Sequence, residues 1–304
     1  MVDQLGEWVV SLTGTDQGRS LAVFLAIFAA ALHASVAAMQ KGRFDPWTSR
    51  ASIDFCYGVM AAPFALFVVP WPEPHVWPVL AAAFLVHTVY KLLMATAFSF
   101  GAFTVVYPVV RGTGPLITVL VAGLVFGEVF RPVQWAGVFT LVAGIFGLAI
   151  FNLFRISYRR DKLALALFLA AVTGFAVAGY TTIDAYGVRA TANPFTFLAW
   201  LFFVDGFFMP AVVVLARRGL PKPRILWRLL PHGIIGGVIA VLSFGSIMLA
   251  TRLDQVGQAA VLRETSTVFA AIIGWLFLKE SVGPVRSLLI VLIAAGALIV
   301  EMGG

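Results

Sequence analysis

"VRGTGPLITVLVAGLVFGEVFRPVQWAGVFTLVAG", residues 110–144, returns later in the chain as "LRETSTVFAAIIGWLFLKESVGPVRSLLIVLIAAG", residues 262–296. Laid side by side without gaps, Arg111 meets Arg263, Thr113 meets Thr265, Leu124 meets Leu276 and Glu128 meets Glu280. Pro132 meets Pro284, Val133 meets Val285, and Ala143–Gly144 meets Ala295–Gly296, all at an offset of 152. Apolar segments match one another through composition alone. Composition does not bring an arginine, a glutamate and a proline into one register, so the two stretches read as an internal repeat.

The rest of the chain fits a lipid solvent. Of 304 residues, 61% are hydrophobic and 12% charged, against about 25% charged in a soluble domain. The net charge of +7 sits in short clusters between apolar runs, such as "SYRRDK" and "ARRGLPKPRILWR". That pattern suits cytoplasmic loops and forms no basic face for nucleic acid. A single cysteine, Cys56, excludes an intramolecular disulfide and a cysteine-rich metal site, and reads as a small core residue. The opening "MVDQLGEWVVSLTGTDQGRS" lacks the basic and apolar regions of a signal peptide. It reads as a polar tail with a surface helix held by Trp8, and the first apolar run is then a retained membrane helix.

A bilayer core of about 30 Å takes roughly 20 apolar residues per helix. Ten runs qualify: 21–40, 51–69, 76–97, 102–126, 134–154, 163–186, 194–215, 229–250, 256–278 and 284–301. Alternating strand patterns do not occur, which argues against a β-barrel. Trp47, Trp71, Trp77, Trp135 and Trp227 fall near run ends, where interfacial aromatics belong. The offset spans five runs, and an odd number per half inverts the second half. The expected fold is an all-α integral membrane protein with ten transmembrane helices as two inverted five-helix repeats. A polar tail, 1–20, precedes the first repeat, 21–154; a basic linker, 155–162, leads to the second, 163–301. Inverted repeats of this kind place a binding site near the midplane where the halves meet.

Loop charge sets the topology. Lys41, Arg43 and Arg50 follow the first run. Arg155, Arg159, Arg160 and Lys162 follow the fifth, and Arg217, Arg218, Lys222, Arg224 and Arg228 the seventh. The tail with Asp3, Glu7 and Asp16 and the loop with Glu73 lean acidic. The positive-inside rule puts both termini on the non-cytoplasmic face.

Charges at membrane depth default to functional hypotheses. Tyr107, Arg111 and Pro115 share a face at i, i+4, i+8. Pro108 and Pro115 remove backbone donors and Gly112 and Gly114 loosen the helix between them, so a break is expected there. Arg111 at that break offers a planar fork to a carboxylate or phosphate; the structural alternative is a salt bridge with Glu264 or an aspartate. In "LRETSTV", Arg263, Thr265, Ser266 and Thr267 supply donors, and Glu264 binds a proton or a cationic group, or neutralises Arg111. Gly112 occupies the place aligned with Glu264.

In "HTVYKLLM", His87 and Lys91 are i, i+4, with Tyr90 adjacent. Lys91 either lines a cavity or snorkels to an interface, and His87 is functional or a hydrogen-bonded structural group. His33 in "LHAS" reads as donating to a backbone carbonyl. Tyr180 and Asp184 are i, i+4 on the sixth run. Asp205, mid-run in "LFFVDGFF", is expected to pair with Arg263 or Lys91. Glu128 and Glu280, at run ends beside proline-bounded turns, read as structural contacts to backbone or loop arginines. The expected substrate-binding set is Tyr90, Lys91, Tyr107, Arg111, Tyr180, Arg263, Glu264 and Thr267. The coupling candidates are His33, His87, Asp184, Asp205 and Glu264. H-E-x-x-H, G-x-S-x-G and P-loop motifs do not occur and the histidines are dispersed, so an enzyme, a metal site and a cofactor are not expected.

The segments "GLVFGEVFRPVQWAGVFTLVAG" and "GWLFLKESVGPVRSLLIVLIAAG", with "LHASVAAMQKG" and "YPVVRGTGPL", make the chain resemble the drug/metabolite transporter superfamily, specifically its EamA-type members. The resemblance spans nearly the whole chain after the tail. It implies alternating access around a central cavity formed by both halves. It also implies small substrates such as amino acids, nucleotide-related compounds or choline-like cations. The expectation is a secondary transporter for a small polar organic metabolite, anionic or zwitterionic, in a bacterial inner membrane. Its partners are that substrate, membrane lipid and a coupling proton, and it acts as a monomer or homodimer without nucleic acid. The alternatives are a passive channel, or a membrane enzyme or lipid-acting scaffold on the same fold.

Overall fold

The structure, a computed structural model, describes residues 2–40, 44–100, 103–154, 162–216, 223–278 and 283–304. Among these the chain forms thirteen α-helices and no strand: α1 (Val2–Ser11), α2 (Asp16–Gln40), α3 (Pro46–Pro63), α4 (Val76–Phe100), α5 (Phe103–Phe126), α6 (Pro132–Leu153), α7 (Leu163–Ala190), α8 (Pro194–Asp205), α9 (Phe208–Ala216), α10 (Pro223–Leu253), α11 (Val256–Arg263), α12 (Ser266–Leu278) and α13 (Pro284–Met302). A π-helical turn, Phe64–Val68, extends α3. Among the described residues nine spans are long and apolar enough to cross a membrane, and they coincide with nine of the ten runs. The chain is a multi-pass helical membrane protein.

The tenth run, 256–278, departs from expectation. It is split at Glu264–Thr265 into α11 and α12. Here the chain tightens into three-residue hydrogen bonds, Glu264 N–H to Val261 O, Thr265 N–H to Leu262 O and Thr267 N–H to Glu264 O. The Thr265 hydroxyl donates to Leu262 O at 2.7 Å. A run of Thr and Ser offers the backbone such local partners and competes with the helix. The break expected at the prolines of α5 does not occur, for α5 is continuous through Pro108 and Pro115. Gly112 and Gly114 serve close approach instead: a Cβ on Gly112 would lie 3.1 Å from the Phe146 ring, and one on Gly114 3.0 Å from Val177 Cγ1.

The chain divides into two compact units, Met1–Phe84 with Ala185–Leu253, and Leu85–Asp184 with Asp254–Gly304. In the first, α10 packs along α2 and α3, and α3 along α8 and α9. The buried stripe of α2 is alanine, at 22, 26, 29, 30 and 34, which lets backbones approach as membrane helices require. Ser243 Oγ donates across this seam to Ala29 O at 2.8 Å. Cys56 is buried as expected. The tail is helical, but Trp8 does not hold it, being 51% exposed. Gly6 and Val9 form the buried face, and Asn193 Nδ2 donates to Asp3 at 3.1 Å.

In the second unit α6 packs along α13 and α5 against α6 and α11. The contacts obey the 152-residue repeat. A Cβ on Gly144 would meet Ile293 and Leu289, and one on Gly296 would meet Leu141 and Gly137; each pair maps onto the other by the offset. Gly147 meets Leu289 while Gly137 meets Gly296 and Val300, so residue numbers fall along α13 as they rise along α6. The two helices therefore run antiparallel about a pseudo-twofold axis, as inverted halves require. Glu128 reads as expected: its carboxylate accepts the Val256 and Gly257 amides at 2.7 and 3.0 Å, satisfying orphan donors at the start of α11. Glu280 and most residues of the basic loops, including Lys41, Arg43, Arg155, Arg159, Arg160, Arg217, Arg218 and Lys222, lie outside the described residues.

Candidate functional site

The second unit gathers most of the charged candidates around the break between α11 and α12. Arg111 on α5 is 6% exposed and Glu264, at the break, 0%. Arg111 Nε lies 2.7 Å from Glu264 Oε2. Arg111 Nη2 donates to Ser266 Oγ at 2.6 Å and to the carbonyl of Arg263 at 3.3 Å. Tyr107, one turn earlier on α5, places its ring 5.7 Å from the Arg111 guanidinium carbon. One carboxylate, one hydroxyl and one carbonyl freed near the helix break thus hold one guanidinium, the condition under which a buried charge is tolerated.

Arg263 ends α11 and is 5% exposed. Its Nη2 donates to the Tyr180 hydroxyl at a long 3.4 Å, and its guanidinium carbon stands 5.9 Å from the Tyr180 ring centroid. Among the described residues Arg263 Nε and Glu264 Oε1 have no hydrogen-bond partner. On α4 and α7, His87 Nε2 and Asp184 Oδ2 are 2.9 Å apart. His87 stacks on Tyr180 at 4.6 Å between centroids, and Tyr90 meets Tyr180 edge-on at 5.0 Å. Tyr180 thus links the His87–Asp184 pair to Arg263. Lys91, one turn beyond His87, is 6% exposed, so it is enclosed by protein rather than snorkelled to an interface. Thr267 sits half-buried in the first turn of α12; its neighbour Ser266 supplies the hydroxyl that meets Arg111.

Residues 164–302 match the EamA-like transporter family. The match bears out, over the second half, the resemblance carried by the residues, and the family is one of transporters. Among solved structures, a crystal structure shares the fold, with a TM-score of 0.73 and 18% identity over 92% of this chain and 98% of the other. No curated protein matches the chain. The EamA-like region contributes Tyr180, Asp184, Arg263, Glu264 and Ser266 to the cluster. The first half adds His87, Tyr90, Tyr107 and Arg111.

Two candidates lie in the first unit. His33 is half-buried on α2. Asp205, at the end of α8, accepts a hydrogen bond from the Tyr57 hydroxyl, a partner other than the arginine or lysine expected. The Asp205–Gly206 turn presses onto α3, where a Cβ on Gly206 would lie 2.8 Å from Asp54 O. That brings Asp205 beside a phenol of α3. Tyr57 carries no charge and sits in an apolar run, so the sequence gives little to mark it. Ser266 was legible as a donor; its use here is as the acceptor for Arg111.

Proposed function

We propose that the chain is a secondary active carrier that moves a small polar organic metabolite, anionic or zwitterionic, by alternating access. The supporting observation is the buried cluster at the helix break, in which Arg111, Arg263 and Glu264 from both halves meet beside the pseudo-twofold axis. Ionised groups at that depth are costly and mark substrate or ion pathways. Arg111 and Arg263 are the anion-attracting groups, with Tyr90, Lys91, Tyr107, Tyr180 and Thr267 around them. Glu264 is the leading proton acceptor, because one of its buried oxygens has no hydrogen-bond partner among the described residues. His87, Asp184, Asp205 and His33 are further coupling positions. The two repeats, 21–154 and 163–301, are joined by the linker 155–162, with both termini on the non-cytoplasmic face of a bacterial inner membrane.

The test is uptake of labelled amino acids and monocarboxylates by proteoliposomes, with and without a pH gradient. A carrier saturates and is accelerated by unlabelled substrate inside the vesicle. Flux that rises linearly with concentration and ignores internal substrate sinks the carrier reading. Unchanged transport by Arg111→Lys and Arg263→Lys sinks the assignment of the site.

A further inference from the structure

The two symmetry-related arginines are in unequal positions. Arg111 has Glu264 at 2.7 Å and Ser266 Oγ at 2.6 Å. The repeat carries Arg111 onto Arg263, and it carries Glu264 and Ser266 back onto Gly112 and Gly114. Both side-chain acceptors that Arg111 uses are therefore missing at the places related to Arg263 by the offset. The hydrogen bond that the Arg263 side chain makes among the described residues is the 3.4 Å one to a phenol, whose ring face it also meets. A guanidinium 5% exposed and lacking a carboxylate within ion-pair distance among the described residues is expensive, since desolvation is offset only by close, charge-assisted partners.

The surrounding charges lean the same way. Lys91, Arg111, Arg263, Asp184 and Glu264 are all buried in this unit. By formal charge these five side chains, three cations against two carboxylates, leave one net positive charge. Glu264 is engaged by Arg111, and Asp184 by His87 at 2.9 Å.

We infer that Arg263 is the anion-binding group and that it takes a substrate of one net negative charge, a monocarboxylate, whose oxygens do for Arg263 what Glu264 and Ser266 do for Arg111. Arg111 is then a positioning residue that holds Glu264 and the carbonyl end of α11. This rests on reading the cluster as a substrate site, and it narrows that reading to one arginine and one charge class.

The experiment compares Arg263→Met and Arg111→Met in detergent by thermal unfolding. Without ligand, Arg263→Met unfolds at or above the wild-type midpoint, because it removes a buried charge that lacks a carboxylate. Arg111→Met unfolds several degrees below it, because Glu264 loses its partner. The second arm adds pools of three probes at millimolar concentration: N-acetylated amino acids, which are monoanions; free amino acids, which are zwitterions; and amino-acid amides, which are cations. The N-acetyl pool raises the wild-type midpoint most, by about 5 °C near saturation, and Arg263→Met abolishes the rise. A rise led by the zwitterions or the amides overturns the charge class. A rise that survives Arg263→Met overturns the residue. If no pool acts, the ligand-free midpoint decides, and a fall for Arg263→Met as large as that for Arg111→Met overturns the proposal. Absence of carrier kinetics with these midpoints as stated would instead overturn the transport reading and leave the anion site standing.

Discussion

Arg111 donates from Nη2 to the main-chain carbonyl of Arg263, the residue that repeats it 152 positions later. A residue that touches its own counterpart marks the axis between two repeats, so this bond locates the pseudo-twofold axis on α5 and α11. The same guanidinium pairs with Glu264, which is completely buried. Breaking such a pair from one side strands a charge and costs about 3–5 kcal/mol. Arg111→Met is therefore strongly destabilising, and adding Glu264→Gln restores most of the loss. Thermal unfolding of both variants in one detergent measures this; equal midpoints would mean that Glu264 is not the stranded charge.

The α6–α13 seam makes a second prediction. A Cβ on Gly296 would stand 2.5 Å from Leu141 N, and one on Gly137 2.7 Å from Gly296 O. Backbone cannot yield as a side chain can, so Gly296→Ala and Gly137→Ala each destabilise by about 1–3 kcal/mol. Gly245 in α10 has nothing within 4 Å of its Cβ position. There Ala is neutral or stabilising by up to about 1 kcal/mol, the helix-propensity difference. The contrast between these sites, read by the same unfolding assay, separates packing from propensity.

Glu128 caps a helix that starts far along the chain, through the amides of Val256 and Gly257. Glu128→Ala removes both acceptors and the charge that favours a helix N-terminus, for a loss of about 1–2 kcal/mol. Glu128→Gln keeps one acceptor and loses less. Hydrogen exchange at Val256 and Gly257 reports the change locally, with faster exchange in the alanine variant than in the glutamine one.

Topology is open to chemical labelling, because the single native cysteine is buried. In the first unit Asp3 meets Asn193, His75 reaches Ala190 O, and Gly14 N–H reaches Leu253 O. The tail, the 70–75 turn, the 191–193 turn and the end of α10 thus share one face. With 31 residues, α10 is about 46 Å long, enough to put its start on the opposite face. Asp3→Cys and Glu73→Cys should react with an impermeant maleimide from the periplasmic side, and Arg224→Cys only after permeabilisation. Labelling of all three from one side would remove the topological reading.

Most of the fold was legible because hydropathy and a repeat register act over long stretches. Nine runs return as membrane-length spans, with 194–215 interrupted between α8 and α9, and the 152 offset reappears as symmetry-related contacts across α6 and α13. The Arg111–Glu264 pair was legible as one of the readings offered, a salt bridge with Glu264 or an aspartate, since Glu264 adjoins Arg263, the residue that the register aligns with Arg111. The helix break was not. Proline and glycine in α5 drew attention, yet they are absorbed by a continuous helix, whereas Thr265 disrupts α11 through short backbone bonds that hydropathy does not register. His87 and Asp184 are 97 residues apart, and each was recognised singly. Their pairing depends on how α4 and α7 meet, and no local pattern encodes that.

Gly112 and Glu264 occupy equivalent places in the two repeats, and only one of them is charged. Two separate, identical subunits meeting at a twofold axis must duplicate every side chain beside it, so they place there either no carboxylate or two. A single carboxylate is open only to halves whose sequences have diverged, as these two have within one chain. The odd charge at this axis is thus a product of that divergence, and an exact homodimer of either half has no means of reproducing it.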